Sequence, residues 1–157
     1  MSTLFVNNLT TSSGSTITVP SGKVLTAPGH VIQTVRMTPT NGNTNTTSTS
    51  YVDTNLTLAI TPKFSNSLII ITASASWLIS GSSFFYYKLY RNGSDISLDH
   101  QINGDYGSNG MGFSASTTYT DLPNSTSAQT YMIKLKTTAG TAYVYREQHM
   151  VLQEVAQ

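Results

Sequence analysis

Two consecutive strand patterns, Ser67–Ile79 and Ser83–Arg91, limit the fold of this chain more than any other feature. In the first pattern, apolar side chains occupy every second position from Ile69 to Ile79, and small polar residues fill most of the positions between them. A period of two places all the apolar side chains on one face of a β-strand. That face must be buried, so the segment predicts a half-buried strand.

The second pattern, Ser83–Arg91, carries aromatic residues on both faces. One face holds Phe85, Tyr87 and Leu89, and the other holds Phe84, Tyr86, Lys88 and Tyr90. A sheet with one face in water does not suit such a strand. We therefore expect one face to fill the core and a second subunit to cover the other, which makes Phe84, Tyr86 and Tyr90 the candidate subunit interface.

The composition indicates an all-β domain. A chain of 157 residues can build one domain with a substantial core. Charged residues make up only 10%, well below the usual quarter, and Ser and Thr take their place. Thr favours strands, whereas Ser, Asn and Gly favour turns. Glu, a good helix former, occurs only twice, at Glu147 and Glu154.

Residues 30–157 predict eight to ten short strands and no helix. Asn92-Gly93 indicates a tight hairpin after Arg91, because both residues tolerate positive φ. Polar loops are expected at Asn41–Ser48 and Asn103–Gly110. The further strand candidates are His30–Thr40, Tyr51-Val52, Leu56–Ile60, Ser94–His100, Met111–Tyr119, Tyr131–Lys136, Tyr143–Arg146 and Val151–Val155. This spacing favours a jelly-roll-type β-sandwich.

Residues 1–29 differ from the rest and cannot bury much surface alone. The segment is either a disordered tail or an extended N-terminal arm that becomes ordered against equivalent arms or a neighbouring protein. Pro28-Gly29 marks the boundary with the sandwich. The candidate attachment residues of the arm are its short apolar groups, Leu4, Phe5, Val6, Ile17 and Val19.

Charge and targeting signals exclude several classes of partner. The net charge is +1, and the eight basic residues are scattered, so no positive stripe for nucleic acid is predicted. No disulfide can form, because the chain has no cysteine. We find no signal peptide and no apolar run that could span a bilayer, so we expect synthesis in the cytoplasm and no membrane insertion.

No catalytic, cofactor-binding or metal-binding residues are predicted. The histidines stand alone in their segments, and no nucleophile-elbow motif occurs. Asp99-His100 with Asp105 is the nearest approach to a metal site, and we interpret it as polar residues around a turn. Tyr86, Tyr87, Tyr90, Tyr143 and Tyr145 could line a sugar-binding surface, but the favoured interpretation is core and subunit interface. We therefore expect a protein that is not an enzyme.

Several segments resemble tail-fibre-like virion proteins of tailed phages, particularly marine ones. The resemblance covers nearly the whole chain and is carried by Leu4–Leu9, Gly14–Leu25, Gly29–Gln33, Ser48–Asp53, Leu58–Ile70 and Met150–Val155. It implies a virion structural protein whose head is a trimeric jelly roll similar to the tumour-necrosis-factor and complement type. It also implies an N-terminal segment that anchors or intertwines.

Two roles are compatible with the resemblance. The first is a homotrimeric tail-fibre-like protein on the particle surface that contributes to host adsorption through a glycan or receptor. The candidate loop contacts for that role are Asn103, Asp105, Tyr106 and Asn109. The alternative is a capsid decoration protein whose arm clamps neighbouring capsid subunits. A depolymerase is a distant third hypothesis.

Overall fold

The structure is a computed structural model that describes residues 21, 27–39, 42–80, 83–104 and 111–157, without the side chains of residues 83, 102–104 and 111. These residues form strands and no helix, and so include no helix that could cross a membrane. The strands are β1 (Val31–Arg36), β2 (Thr44–Thr46), β3 (Val52–Ile60), β4 (Leu68–Ser80), β5 (Ser83–Arg91), β6 (Ser94–Asp95), β7 (His100–Gly104), β8 (Met111–Asp121), β9 (Gln129–Thr137), β10 (Thr141–Val144) and β11 (His149–Val155).

The strands form two antiparallel sheets that pack face to face. In the first sheet, β8 pairs with one edge of β4, and β11 and β10 share the other edge; β1 then pairs with β11 and β2 with β10. In the second sheet the order is β3, β9 and β5, and β6 and β7 share the outer edge of β5. The prediction of an all-β sandwich is confirmed.

Strand β4 supplies the centre of the core, as its alternation predicts. Every second side chain from Ile69 to Ile79 is at most 3% exposed. Trp77 stacks on Phe85 and Tyr87 of β5, with ring centroids 5.7 and 4.9 Å apart. The two strand patterns that dominate the sequence therefore lie in opposite sheets and face each other across the core.

The Asn92-Gly93 hairpin is confirmed. Both residues have positive φ, 49° and 84°, and Arg91 pairs directly with Ser94. The Asn92 side chain also accepts a hydrogen bond from the backbone NH of Thr130 at 2.9 Å. The turn is thus fixed by its own backbone geometry and tied to strand β9.

Three predictions that concern short edge strands differ from the structure. The predicted return strand Ser94–His100 is interrupted, because β6 ends at Asp95 and β7 begins at His100. Strand β7 extends to Gly104, into the predicted loop Asn103–Gly110. Strand β2 lies inside the predicted polar loop Asn41–Ser48 and forms by pairing with β10. Each difference involves a short edge strand without an apolar repeat.

A buried carboxylate holds one corner of the sandwich together. Glu154 of β11 is fully buried and lies next to the β3–β4 connection. It accepts hydrogen bonds from the backbone NH groups of Lys63 (2.8 Å) and Phe64 (3.1 Å) and from the hydroxyl of Ser67 (2.7 Å). The amide of Gln33 on β1 donates a fourth, at 2.6 Å. One side chain thus ties β1, β11 and the connection into β4.

Candidate functional site

The outer face of the second sheet carries the most chemically distinctive described surface. We call it the tyrosine–lysine face and define it by Tyr51, Asp53, Phe84, Tyr86, Lys88, Tyr90, Asp95, Asp99, Lys134 and Lys136. Strand β5 creates it by alternation, because its inward residues Phe85, Tyr87 and Leu89 are at most 7% exposed. Lysines of β9 lie directly beside the outward residues of β5, since Lys136 pairs with Tyr86 and Lys134 with Lys88.

The lysine ammonium groups lie over the tyrosine rings. The Nζ atom of Lys136 is 4.5 Å from the ring centroid of Tyr51 and 5.0 Å from that of Tyr86. The Nζ atom of Lys134 is 4.7 Å from the ring centroid of Tyr90. Cations at such distances are attracted to the negative face of an aromatic ring. Tyr86 and Tyr90 are accordingly only half-exposed.

Aspartates pair with the same lysines. The Asp99 carboxylate lies 2.9 Å from the Nζ atom of Lys88 and 3.6 Å from that of Lys136. The hydrogen bond from Lys88 is the main reason that the pKa of Asp99 lies below its ordinary value. Asp95 also pairs with Lys88, at 2.9 Å. Its two carboxylate partners raise the pKa of Lys88, so this ammonium group stays charged.

Tyr51 lies at the centre of this network. Its ring meets the Tyr90 ring edge-on with centroids 6.0 Å apart. Burial, and then the neighbouring Asp99 carboxylate, raise the pKa of the Tyr51 hydroxyl. This hydroxyl is shielded from solvent and makes no hydrogen bond of acceptable geometry with the described residues. The negative charge of Asp99 disfavours the ionised form of Tyr51.

These contacts bear on the predicted subunit interface Phe84, Tyr86 and Tyr90. Much of the cover that the sequence analysis assigned to another subunit comes from lysines and Tyr51 of the same chain. Phe84, at the end of β5, is 38% exposed. Interface cores are usually depleted in Lys and Asp, so a dry contact across the whole face is disfavoured. The interface stays a prediction, now centred on Phe84.

The other candidate tyrosines do not join this face. Tyr87 is in the core, and its ring stacks on the His100 ring with centroids 4.9 Å apart. Tyr143 belongs to β10 of the first sheet. A single surface of Tyr86, Tyr87, Tyr90, Tyr143 and Tyr145 therefore does not form.

Most of the other candidate residues lie outside the described residues. These are the arm residues Leu4, Phe5, Val6, Ile17 and Val19 and the loop residues Asp105, Tyr106 and Asn109. For Asn103 only the backbone is described, and it pairs with Phe84.

Within the described residues, no group of three or more His, Cys, Asp or Glu side chains could hold a metal ion. Asp99 and His100 were predicted, with Asp105, to be polar residues around a turn. Asp105 lies outside the described residues, and the other two have different surroundings. Asp99 binds lysines on the outer face, whereas the His100 ring packs between Tyr87 and Tyr119.

Tyr51, Lys134 and Lys136 were not predicted from the sequence as parts of this site. The alternation of Lys134 and Lys136 with apolar residues placed both lysines on an outer face. Only the pairing of β9 with β5 places them beside the tyrosines.

No protein-family model matches this chain, and a search of curated proteins finds no match.

Proposed function

We propose that this chain is a structural protein of a phage particle, with a jelly-roll head, an attachment arm at residues 1–29 and a homotrimeric assembly. The leading role is a tail-fibre-like protein displayed on the virion surface, and the alternative is a capsid decoration protein. The sequence resemblance to phage tail-fibre-like proteins supports the class.

The strand order is the observation that carries the proposal. When β1 with β2, β6 with β7 and β10 with β11 are each counted as one interrupted strand, the described part of each sheet has four strands. The chain then passes to the opposite sheet at every connection except the one after β5. Eight strands in two such sheets support the assignment of a jelly roll, an architecture used by viral capsid domains. Fold alone does not establish the role, so experiments must.

Copy number in purified particles tests the role. Quantitative mass spectrometry against the major capsid protein should find this chain in the virion. A few tens of copies or fewer would favour the tail, and hundreds would favour decoration of the capsid. Absence from the particle would overturn the proposal.

The trimer is tested at Phe84, the exposed residue of the predicted interface. Tyr86→Asp is a weaker choice, because Lys136 lies close enough to pair with the new carboxylate. Phe84→Asp would bury an unpaired charge in the interface and should dissociate the trimer. Leu98→Asp is the matched control, since Leu98 is 86% exposed and outside the predicted interface. Equal masses for both variants would contradict an interface at Phe84.

A contribution to host adsorption rests on the loop Asn103–Gly110 and its candidate contacts. Particles that carry a shortened loop should adsorb less well, while the purified protein keeps its oligomeric mass. Unchanged adsorption would leave this chain with a purely structural role.

A further inference from the structure

The free edge of strand β8 is unusually long and regular among the described sheet edges. Strand β8 pairs with β4 over eleven consecutive residue pairs without a register shift, and no described strand pairs with its other edge. The other edge strands are short or irregular. β2 and β6 have three and two residues, β7 has five, and both β1 and β3 contain register shifts.

The backbone groups on the free edge of β8 follow from the pairing of β4. The NH of Ser76 donates to the carbonyl of Arg146, and its carbonyl accepts from Tyr145. Both groups of Ser76 therefore point away from β8, so Ser76 and Ser114 form a non-hydrogen-bonded pair. The NH and carbonyl of Ser114 must then point to the free edge.

Because successive residues of a strand alternate, the NH and carbonyl groups of every second residue of β8 point to the free edge. We call these the outward-pointing residues; they are Gly112, Ser114, Ser116, Thr118 and Thr120, and all five are exposed. Natural proteins protect such an edge with Lys, Pro, a bulge or a short strand. No charged residue or proline occurs from Met111 to Thr120. The edge is thus ready to accept another strand.

We propose that β8 of a second copy of this chain pairs with this edge, antiparallel, with Ser116 opposite the partner's Ser116. In this register the outward-pointing residues pair only with each other, so each pair exchanges both hydrogen bonds. It is also the register that pairs the whole segment from Gly112 to Thr120.

The side chains fit their own copies in this register. Ser114 lies opposite the partner's Thr118, so small hydroxyl residues meet on the outer face. Phe113 lies opposite the partner's Tyr119, an aromatic cross-strand pair on the inner face, where both residues are half-buried. Asp121 lies opposite the partner's Met111, so the two copies bring no like charges together. This self-complementarity identifies a second copy as the occupant.

A charge swap tests the register. Because residue 116 faces itself, Ser116→Lys and Ser116→Asp each place like charges opposite one another and should weaken self-association by roughly fivefold. A one-to-one mixture should restore association as a Lys–Asp heterodimer. The controls are Thr130→Lys and Thr130→Asp on an exposed position of β9, which should associate like the wild type. Sedimentation equilibrium over a range of protein concentrations measures each case.

Failure of the mixture to associate better than either variant would overturn the register, and a wild-type edge that never associates would overturn the proposal.

Amide exchange identifies the occupant. Outward amides of β8 should become protected as protein concentration rises. Protection of these amides at concentrations where sedimentation finds only monomer would mean that a segment of the same chain covers the edge, which also overturns the proposal. The result does not depend on the proposed virion role, because the purified protein suffices.

Discussion

At the scale of single residues, Glu154 shows how one polar side chain can fix a corner of an all-β fold. Its carboxylate accepts four hydrogen bonds from donors that lie between 87 and 121 residues away in sequence. Glu154→Gln keeps the shape but places an NH₂ group against one or more of these donors. We expect the free energy of unfolding to fall by about 1–3 kcal/mol, because buried polar groups lose their partners.

The matched control for Glu154→Gln is Asp53→Asn. It makes the same carboxylate-to-amide change in an ion pair with Lys134, but Asp53 is 65% exposed. Exposed ion pairs contribute little, so its effect should stay below about 1 kcal/mol. Urea unfolding measures the free energy of unfolding of both variants. Equal losses would show that the buried Glu154 contacts stabilise the fold no more than the exposed ion pair does.

The buried tyrosines predict a loss of stability at alkaline pH. Burial raises the pKa of Tyr119 to about 12 and also raises the pKa of Tyr87 and Tyr131. The folded state thus favours the neutral phenol, and an unfolded tyrosine ionises near pH 10. Stability should be fully present below pH 10 and decline as the pH rises toward 12.

Tyr119→Phe tests this alkaline decline. The Tyr119 hydroxyl is buried without a hydrogen-bond partner among the described residues, so its removal should cost little near pH 7. The variant should lose less stability than the wild type between pH 9 and pH 11, as measured by urea unfolding at each pH. An unchanged slope would show that Tyr119 does not resist ionisation.

At the scale of elements, the bulge in β3 depends on one hydroxyl. Between Asp53 and Thr57 the pairing with β9 shifts register, and the buried Thr54 hydroxyl fills the gap. It donates to the carbonyl of Ile133 at 2.5 Å and accepts from the NH of Leu56 at 3.1 Å. Thr54→Val should cost about 1–3 kcal/mol, because both backbone groups lose a buried partner. The control Thr57→Val should change little in the same thermal unfolding assay, and a similar loss there would contradict the role of the hydroxyl.

Burial explains which strands could be predicted from the sequence. Strand β4 was predictable because its alternate residues face a core, and the Asn92-Gly93 hairpin because its geometry is local. Strand β2 was not, since Thr44–Thr46 carries no apolar repeat and becomes a strand only through β10. The same limit applies to the tyrosine–lysine face. The aromatic strand β5 could be predicted from its own residues. The lysines over its rings belong to β9, about fifty residues away, and no local sequence signal indicates that β9 pairs with β5.

At the scale of the whole molecule, the predicted trimer and the β8 pairing have different symmetries. A contact at Phe84 that closes into a ring uses two different patches, whereas β8 pairs with itself about a twofold axis. A protein with both contacts would pass from trimers to larger assemblies, a hexamer in the smallest closed case, as its concentration rises.

Three purified variants separate these two contacts by mass. Ser116→Lys should raise the protein concentration at which trimers assemble further by about fivefold or more, because like charges weaken only the twofold contact. Phe84→Asp should stop assembly at the dimer, because only the ring contact is lost. The double variant should dimerise more weakly than Phe84→Asp alone, since the described contacts proposed for self-association are then both disrupted. Mass photometry with sedimentation analysis distinguishes these species. A wild-type monomer at every concentration would contradict both contacts, and a trimeric double variant would place the trimer contact elsewhere on the chain.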